Sequence, residues 1–368
     1  MNSHCTTTSV ACFEGHIRPQ GWLWAGEIHM THLSQIKQET FFLFNNMGCY
    51  KYIETIFIPI FILLLSLNSV MPCKDQLSTT FYDKTCPKAL ATIKSSIRAA
   101  VSCNPRNAAL LIRLHFHDCF VQGCDASLLL EGEGSEKRSP ANNGVLGYEI
   151  IDAAKAAVER VCPGVVSCAD ILAVAARDAS VAVKGPSWSV RLGRRDSTTF
   201  NATQAAADLP RGDFNLSRLI DNFQRKGLNA REMVALSGSH TIGLARCVTF
   251  RARIYNNASN IDAAFASSLR ENCPPTSPDG NNNTRPLDLM TPNRFDNNYF
   301  RNLVRSKGLL TSDQVLFNGD STDSIVTEYV KNPAKFNSDF AAAMVKMGEI
   351  DLLTGANGVI RTLCTTAS

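Results

Sequence analysis

Arg113-Leu-His-Phe-His-Asp-Cys119 sets a guanidinium and an imidazole four residues apart, Arg113 and His117, in a stretch whose apolar spacing predicts a helix. That separation is about one helical turn, so both side chains share a face. A permanently cationic fork beside a neutral base suits one task. The base takes a proton from a substrate while the cation stabilises the negative charge that develops. The plainer reading of His117 is a satisfied polar residue on a half-buried helix. Of the seven histidines, four lie in the first 46 residues, so histidine chemistry further along must come from His115, His117 and His240.

The second constellation is Val234-Ala-Leu-Ser-Gly-Ser-His-Thr-Ile-Gly243. Two glycines bracket His240 between apolar segments, and small residues there permit close approach of a flat ligand. A core histidine is the competing reading. Zinc is disfavoured, because His and free Cys do not cluster at ligand spacing. A third pattern uses only hard oxygen donors. Asp118, Asp125 and Ser127 surround Val-Gln-Gly-Cys, and Asp288, Thr291 and Asp296 surround a Thr-Pro turn. Carboxylates and hydroxyls at short odd spacings, with backbone carbonyls between, suit calcium; ordinary Asp-rich turns are the alternative. Asp313, after an apolar run, is either a helix cap or the partner that orients a metal-bound histidine.

These residues need elements to position them. Helical periodicity covers 88–102, 106–121, 148–160, 167–179, 215–226, 230–236, 242–254, 261–270, 296–306 and 336–347, with Asn215 and Asp296 as helix starts. Gly-, Pro- and Asn-rich stretches at 131–147, 184–213, 255–260 and 274–295 separate them. The main strand signal is the short run from Ser189 to Leu192. The expected class is all-α with few short strands, in one large domain or two lobes around a cleft. Loops of this length are pinned or functional, and cysteines and metal ions could pin them.

Residues 56–67 form a twelve-residue apolar run behind Lys51 and ahead of Lys74, too short for an ordinary span and broken by a proline. It reads as a secretory signal, residues 47–75, begun at Met47, with the mature start near Gln76. Residues 1–46 then form an upstream extension outside the mature protein; an uncleaved anchor or a longer targeting sequence is the other reading. The remaining chain carries 33 Lys/Arg against 28 Asp/Glu, a net +5. It shows no basic run with interleaved aromatics, which speaks against nucleic acid and leaves weak affinity for polyanionic matrix. Nine cysteines follow the leader. An oxidising compartment favours four bridges and one thiol, with Cys103 the odd one; the arithmetic leaves the pairing open. Sequons at Asn201, Asn215, Asn257 and Asn282 predict surface positions in a secreted protein.

Together these motifs closely resemble the secreted plant haem peroxidases (class III), from about Gln76 to Cys364. The resemblance implies a haem peroxidase domain over residues 76–368, two helical lobes sandwiching one haem b, and two calcium ions. It implies reduction of hydrogen peroxide with one-electron oxidation of small phenolic donors, in the cell wall or apoplast, by a monomer free of the membrane after signal cleavage. His240 would be the proximal iron ligand and Asp313 would accept its other ring N–H. His117 would be the distal acid–base, Arg113 the charge stabiliser and Phe116 a pocket wall. Asn142, in preference to Asn143, would tether His117.

The resemblance further implies a distal calcium held by the side chains of Asp118, Asp125 and Ser127 and the carbonyls of Asp118, Val121 and Gly123. The proximal calcium would use Thr241, Asp288, Thr291 and Asp296, with carbonyls of Thr241, Thr291 and Arg294. Implied disulfides are Cys86–Cys162, Cys119–Cys124, Cys168–Cys364 and Cys247–Cys273, leaving Cys103 free. Asp170 and Arg194 match a buried family ion pair, and Pro210 the proline whose carbonyl holds donors. Phe214 is a single aromatic where some relatives have a larger cluster, and Thr249 replaces a phenylalanine found in the family, so donor preference does not carry over. Trp188 and His115 are expected to be structural. Two rival readings remain: a silent haem or matrix binder on the same scaffold, and a secreted metal-dependent hydrolase using the histidines and aspartates.

Overall fold

Isoleucine and valine at helical spacing give helix α1 (Ala89–Cys103) one buried face, made of Ala89, Ile93, Ile97 and Val101. Helix α2 (Asn107–Cys119) turns Leu111, Leu114 and His117 inward. Helix α3 (Tyr148–Glu159) packs on α1, and α4 (Cys168–Ala182) packs on all three. Alanines and other small residues bury α4 on nearly every side, so it is the central post of this group. The computed structural model describes residues 77–256 and 260–367. The extension, the signal segment and the Asn257 sequon lie outside the described residues.

A second group carries the other histidine. It comprises α7 (Ala230–Ser237), the 3-10 turn Gly238–Thr241, α10 (Asn298–Val304), α12 (Asp323–Lys331) and α13 (Pro333–Met347). Phe295, Phe300, Phe336 and Phe340 stack and tilt against one another at its centre. The short helices α5 (Ala202–Asp208) and α6 (Leu216–Arg225) connect the two groups, which share one continuous core. A smaller core unites α8 (Cys247–Tyr255), α9 (Ala263–Arg270) and the Cys247–Cys273 bridge. The four-residue helix α11 (Thr311–Gln314) completes the set. The described residues thus hold thirteen α-helices against two three-residue strands, an all-α fold.

Three expectations need correction. Residues 242–254 are not one helix: Gly243, at φ 98°, ends the turn after His240. Strand β1 (Leu244–Arg246) follows, pairing antiparallel with β2 (Thr284–Pro286) before α8 begins. The Ser189–Leu192 run forms no ladder; Leu192 makes a single bridge to Ser78 and lacks a second strand to extend along. Asp296 does not cap a helix as its N-cap residue. Asn297 holds that place, while Asp296 accepts the Asn298 N–H at 2.8 Å.

The segment carrying His240 is wedged in place by two glycines. A Cβ on Gly238 would meet the Phe336 ring at 2.4 Å and Phe300 at 2.9 Å. A Cβ on Gly243 would meet the Ala109 Cβ of α2 at 2.9 Å. The two histidine-bearing segments therefore touch at Gly243 and Ala109, one turn before Arg113. Gly238→Ala is expected to destabilise the protein by about 1–3 kcal/mol, through overpacking against two rings. A melting temperature equal to that of the parent would show that the rings yield.

Candidate active site

The α2 face places Arg113 and His117 together, as the four-residue spacing requires. Arg113 Nε donates to His117 Nε2 at 3.0 Å. His117 Nδ1 lies 2.6 Å from Asn142 Oδ1. The amide of Asn142 is oriented in turn, because its Nδ2 donates to the Glu136 carbonyl at 2.8 Å. Its Oδ1 is therefore the atom that faces the imidazole. These bonds assign the tautomer: the proton sits on Nδ1, and Nε2 keeps its lone pair. Burial, and then the neighbouring Arg113 charge, push the His117 pKa down to about 3, against the opposing pull of Asn142. His117 is thus a neutral base at ordinary pH. Arg113 is solvent-accessible although protein crowds it, as a cation in a cleft would be. Phe116 leans on His117 edge-on, with ring centroids 5.3 Å apart, and packs against Phe120 and Phe223.

Asn143 stands beside Asn142 in the sequence but does not reach His117. Its carbonyl accepts from Arg246 Nη2 at 2.6 Å, which ties this loop to β1. Proline at the start of the 3-10 turn Pro140–Asn142 presets the turn that aims Asn142 inward.

His240 sits on the 3-10 turn directly after α7. Its Nδ1 is 2.7 Å from Asp313 Oδ1, and the Asp313 side chain is buried. Asp313 also accepts from the Tyr299 hydroxyl at 3.0 Å and the Leu310 N–H at 2.9 Å. Three donors on one buried carboxylate hold it in a fixed orientation. It is therefore both the cap of α11 and the partner of the histidine; the two readings of its role coincide. The His240 side chain remains 34% exposed. A histidine held at Nδ1 with Nε2 left accessible has the arrangement of a metal ligand whose orientation is set from behind.

The oxygen-rich loops can be tested for cations. In the first, Asp118, Asp125 and Ser127 converge in a loop clasped by Cys119–Cys124. Asp118 Oδ1 and Ser127 Oγ are buried without hydrogen-bond partners among the described residues. Burial, then the Asp125 charge, push the Asp118 carboxyl well above its usual range. Burial also lifts Asp125 to about 6. Such crowding of buried carboxylates and orphaned oxygens fits a bound cation. Val121 is buried, and Gly123 has no room for a Cβ, which would lie 2.2 Å from the Asp351 carbonyl. The carbonyls of Asp118 and Gly123 each accept a backbone N–H in the same turn.

In the second loop, Thr291 Oγ1 is 2.9 Å from both Asp288 Oδ2 and Asp296 Oδ2. One hydroxyl proton cannot serve two carboxylates, so this set also fits a cation. Thr241 Oγ1 lies 3.4 Å from Asp296 Oδ1, which joins the cluster to the residue after His240. Arg294, the remaining member, is exposed and bonds through its N–H to the Thr291 carbonyl at 3.0 Å. No three His, Cys, Asp or Glu side chains gather as a metal site among the described residues. Both loops hold two carboxylates each and would draw the rest of a calcium shell from hydroxyls and carbonyls.

The other named residues fall as follows. Cys86–Cys162, Cys119–Cys124, Cys168–Cys364 and Cys247–Cys273 are bonded. Cys103 is disulfide-bonded too, which corrects the lone thiol. Asp170 and Arg194 form a buried pair at 2.9 Å. Pro210 is half-buried just after α5. Phe214 is buried beneath the Arg218 guanidinium, 3.8 Å from the ring centroid, so it offers no free aromatic face. Thr249 is exposed, its hydroxyl donating to the Arg246 carbonyl. Trp188 meets Phe340 edge-on. His115 is buried, its Nδ1 3.6 Å from the Cys119 sulfur, away from His117. Asn201 and Asn215 are exposed N-caps of α5 and α6, and Asn282 is exposed.

Two contributors escaped the sequence reading. Glu136 is fully buried, orients Asn142 through its carbonyl, and has its carboxyl lifted to about 7 by burial. It lies in Glu-Gly-Glu-Gly-Ser-Glu-Lys-Arg, which reads as a solvated loop. Tyr299 adds the second side-chain bond to Asp313, and nothing in its spacing marks it.

The family model described as "Peroxidase" matches residues 93–332. A "Basic peroxidase" of Zinnia elegans is 73% identical over 311 residues, covering 84% of this chain and 96% of that protein. A "Lignin-forming anionic peroxidase" of Nicotiana sylvestris is 62% identical over 305 residues, covering 82% of this chain and 94% of that protein. "Peroxidase 2" of Oryza sativa subsp. japonica is 56% identical over 303 residues, 82% and 96% of the two chains.

Proposed function

Since the chain belongs to the peroxidase family, we propose that it is a secreted haem enzyme that reduces hydrogen peroxide to water and oxidises phenolic donors in the cell wall. The observation that carries this reading is the paired histidine geometry. One histidine is a neutral base beside a guanidinium, and the other is an accessible ligand oriented by a buried carboxylate. Haem, when bound, supplies the redox chemistry, taking up two oxidising equivalents and passing them to donors one at a time.

The chain's own residues then have defined tasks. His240 would hold the iron through Nε2, and the Nδ1–H to Asp313 would give the imidazole anionic character. His117 Nε2 accepts a proton from hydrogen peroxide and returns it to the departing oxygen, which leaves as water. Arg113 carries the negative charge that develops meanwhile. Asn142 holds the His117 proton on Nδ1 so that Nε2 is always the free base. Phe116 walls the pocket, and the Pro210 carbonyl would receive the donor hydroxyl.

Two calcium ions would be held by Asp118, Asp125 and Ser127, and by Thr241, Asp288, Thr291 and Asp296. The four bridges Cys86–Cys162, Cys119–Cys124, Cys168–Cys364 and Cys247–Cys273 agree with an oxidising compartment. No described helix is long and apolar enough to cross a membrane. A net +5 beyond the leader supports weak retention on polyanionic wall. The name of the Nicotiana relative points to lignin precursors among the donors.

The test is an absorbance spectrum of residues 76–368 refolded with hemin and calcium, then one equivalent of hydrogen peroxide, then guaiacol. The expected result is a Soret band that falls and shifts with peroxide and recovers with donor. A Soret band indifferent to peroxide in folded protein would leave a silent haem binder. No Soret band would remove the haem reading altogether.

A further inference from the structure

Away from both histidines, a groove of about 430 Å³ runs between α9 and β2. Its lining shares no residue with the candidate active site. Phe265 and Leu269, largely buried, face it from α9, and Pro286 and Leu289 face it from the β2 side. Leu289 is 39% exposed and the adjoining Met290 60%, so apolar surface continues beyond the groove. Two cations stand on the same lining, Arg285 and Lys307.

Neither cation is neutralised by a close carboxylate. Arg285 Nη2 donates to the Ser268 carbonyl at 2.6 Å, while its Nε is buried without an acceptor among the described residues. Lys307 Nζ has only a long pairing to Asp262, at 3.9 Å. An apolar floor with two under-compensated cations is complementary to a flat hydrophobic body carrying one negative charge. A neutral phenol would leave the cations unanswered, and a sugar acid would leave Phe265, Leu269 and Leu289 against polar groups. We propose that this groove binds a small aromatic carboxylate, ring against Phe265 and Leu289 and carboxylate toward Arg285 and Lys307, at a site separate from the one that consumes the donor.

Calorimetric titration of the calcium- and haem-loaded enzyme with cinnamate tests this. Cinnamate has the ring and the carboxylate but no phenol, so it is not used up as a donor. Binding about millimolar or tighter is expected. Cinnamyl alcohol, with the charge removed, is expected to bind about tenfold more weakly, as are Lys307→Gln and Arg285→Gln with cinnamate, the size of one charge-assisted hydrogen bond. Guaiacol turnover should be unchanged in both variants. Lys307 is at the rim, so its variant stays informative if loss of the Ser268 contact unfolds Arg285→Gln. Cinnamate affinity unchanged in Lys307→Gln would place the acid elsewhere, such as the donor site, and overturn the proposal. Equal affinity for the alcohol, or no binding of cinnamate, would overturn it as well.

Discussion

His117→Ala is expected to lower kcat/KM for hydrogen peroxide by about 10²–10⁴-fold, the range for loss of a positioned acid–base. The variant keeps Arg113 and the His240–Asp313 pair, so haem uptake and the Soret band should persist while peroxide changes it more slowly by the same factor. Asn142→Ala should cost less, because it removes the orientation of the base and leaves the base in place. The pH profile gives a second readout. The imidazole must be neutral to accept a proton, and its pKa is held down to about 3. The parent's peroxide reactivity should therefore stay level as pH falls from neutrality and drop only in strongly acidic buffer, once Nε2 is protonated. A parent profile falling near pH 6.5, where an ordinary histidine titrates, would mean that the burial seen here does not govern the base. A variant as fast as the parent would remove His117 from the chemistry.

The parts of this arrangement that were legible in sequence are the ones encoded locally. Arg113 and His117 share a face because helices repeat every 3.6 residues, and the oxygen donors of each loop lie within ten residues of one another. Residues that local chemistry alone does not separate, though the resemblance already favours Asn142, are placed by long-range contacts. Asn142 and Asn143 have the same chemistry and adjacent positions. The Glu136 carbonyl and Arg246, 103 residues downstream of Asn143, decide which amide faces the base. The same cause explains β1: Leu244–Arg246 has helical periodicity, but pairing with Thr284–Pro286 and the left-handed Gly243 override it. Helix α12 gives little sequence signal for the converse reason. Ile325, Val326 and Thr327 are β-branched and weaken the local helix signal, and burial of Val326 and Tyr329 against the phenylalanine cluster supplies the stability that propensity does not.

Calcium removal should make the protein's stability depend on pH in a direction opposite to ordinary acid denaturation. Without a cation, burial raises the carboxyl of Asp118, lifts Asp125 to about 6 and lifts Glu136 to about 7, from unfolded values near 4. The folded state then binds more protons than the unfolded state between about pH 4 and pH 7, so stability falls as pH rises through that window. A two-unit rise corresponds to roughly 3 kcal/mol, and the three groups interact, so their contributions do not simply sum. For a domain of this size that is a loss of about 5–10 °C in Tm between pH 5 and pH 7.5. A divalent cation against Asp118 Oδ1 and Ser127 Oγ supplies the missing partner and favours the charged carboxylates. Calcium should therefore flatten the slope and raise Tm most at the higher pH. Asp196 is also raised by burial and is answered by Arg361 and backbone N–H groups, but its charge acts on Asp125 as well, so only the part of its effect that does not run through Asp125 should survive calcium addition. The measurement is thermal melting of the chelated and the calcium-loaded protein across this range. A chelated protein that gains stability from pH 5 to pH 7.5, or a slope that calcium leaves intact, would show that these carboxylates are not the calcium cradle.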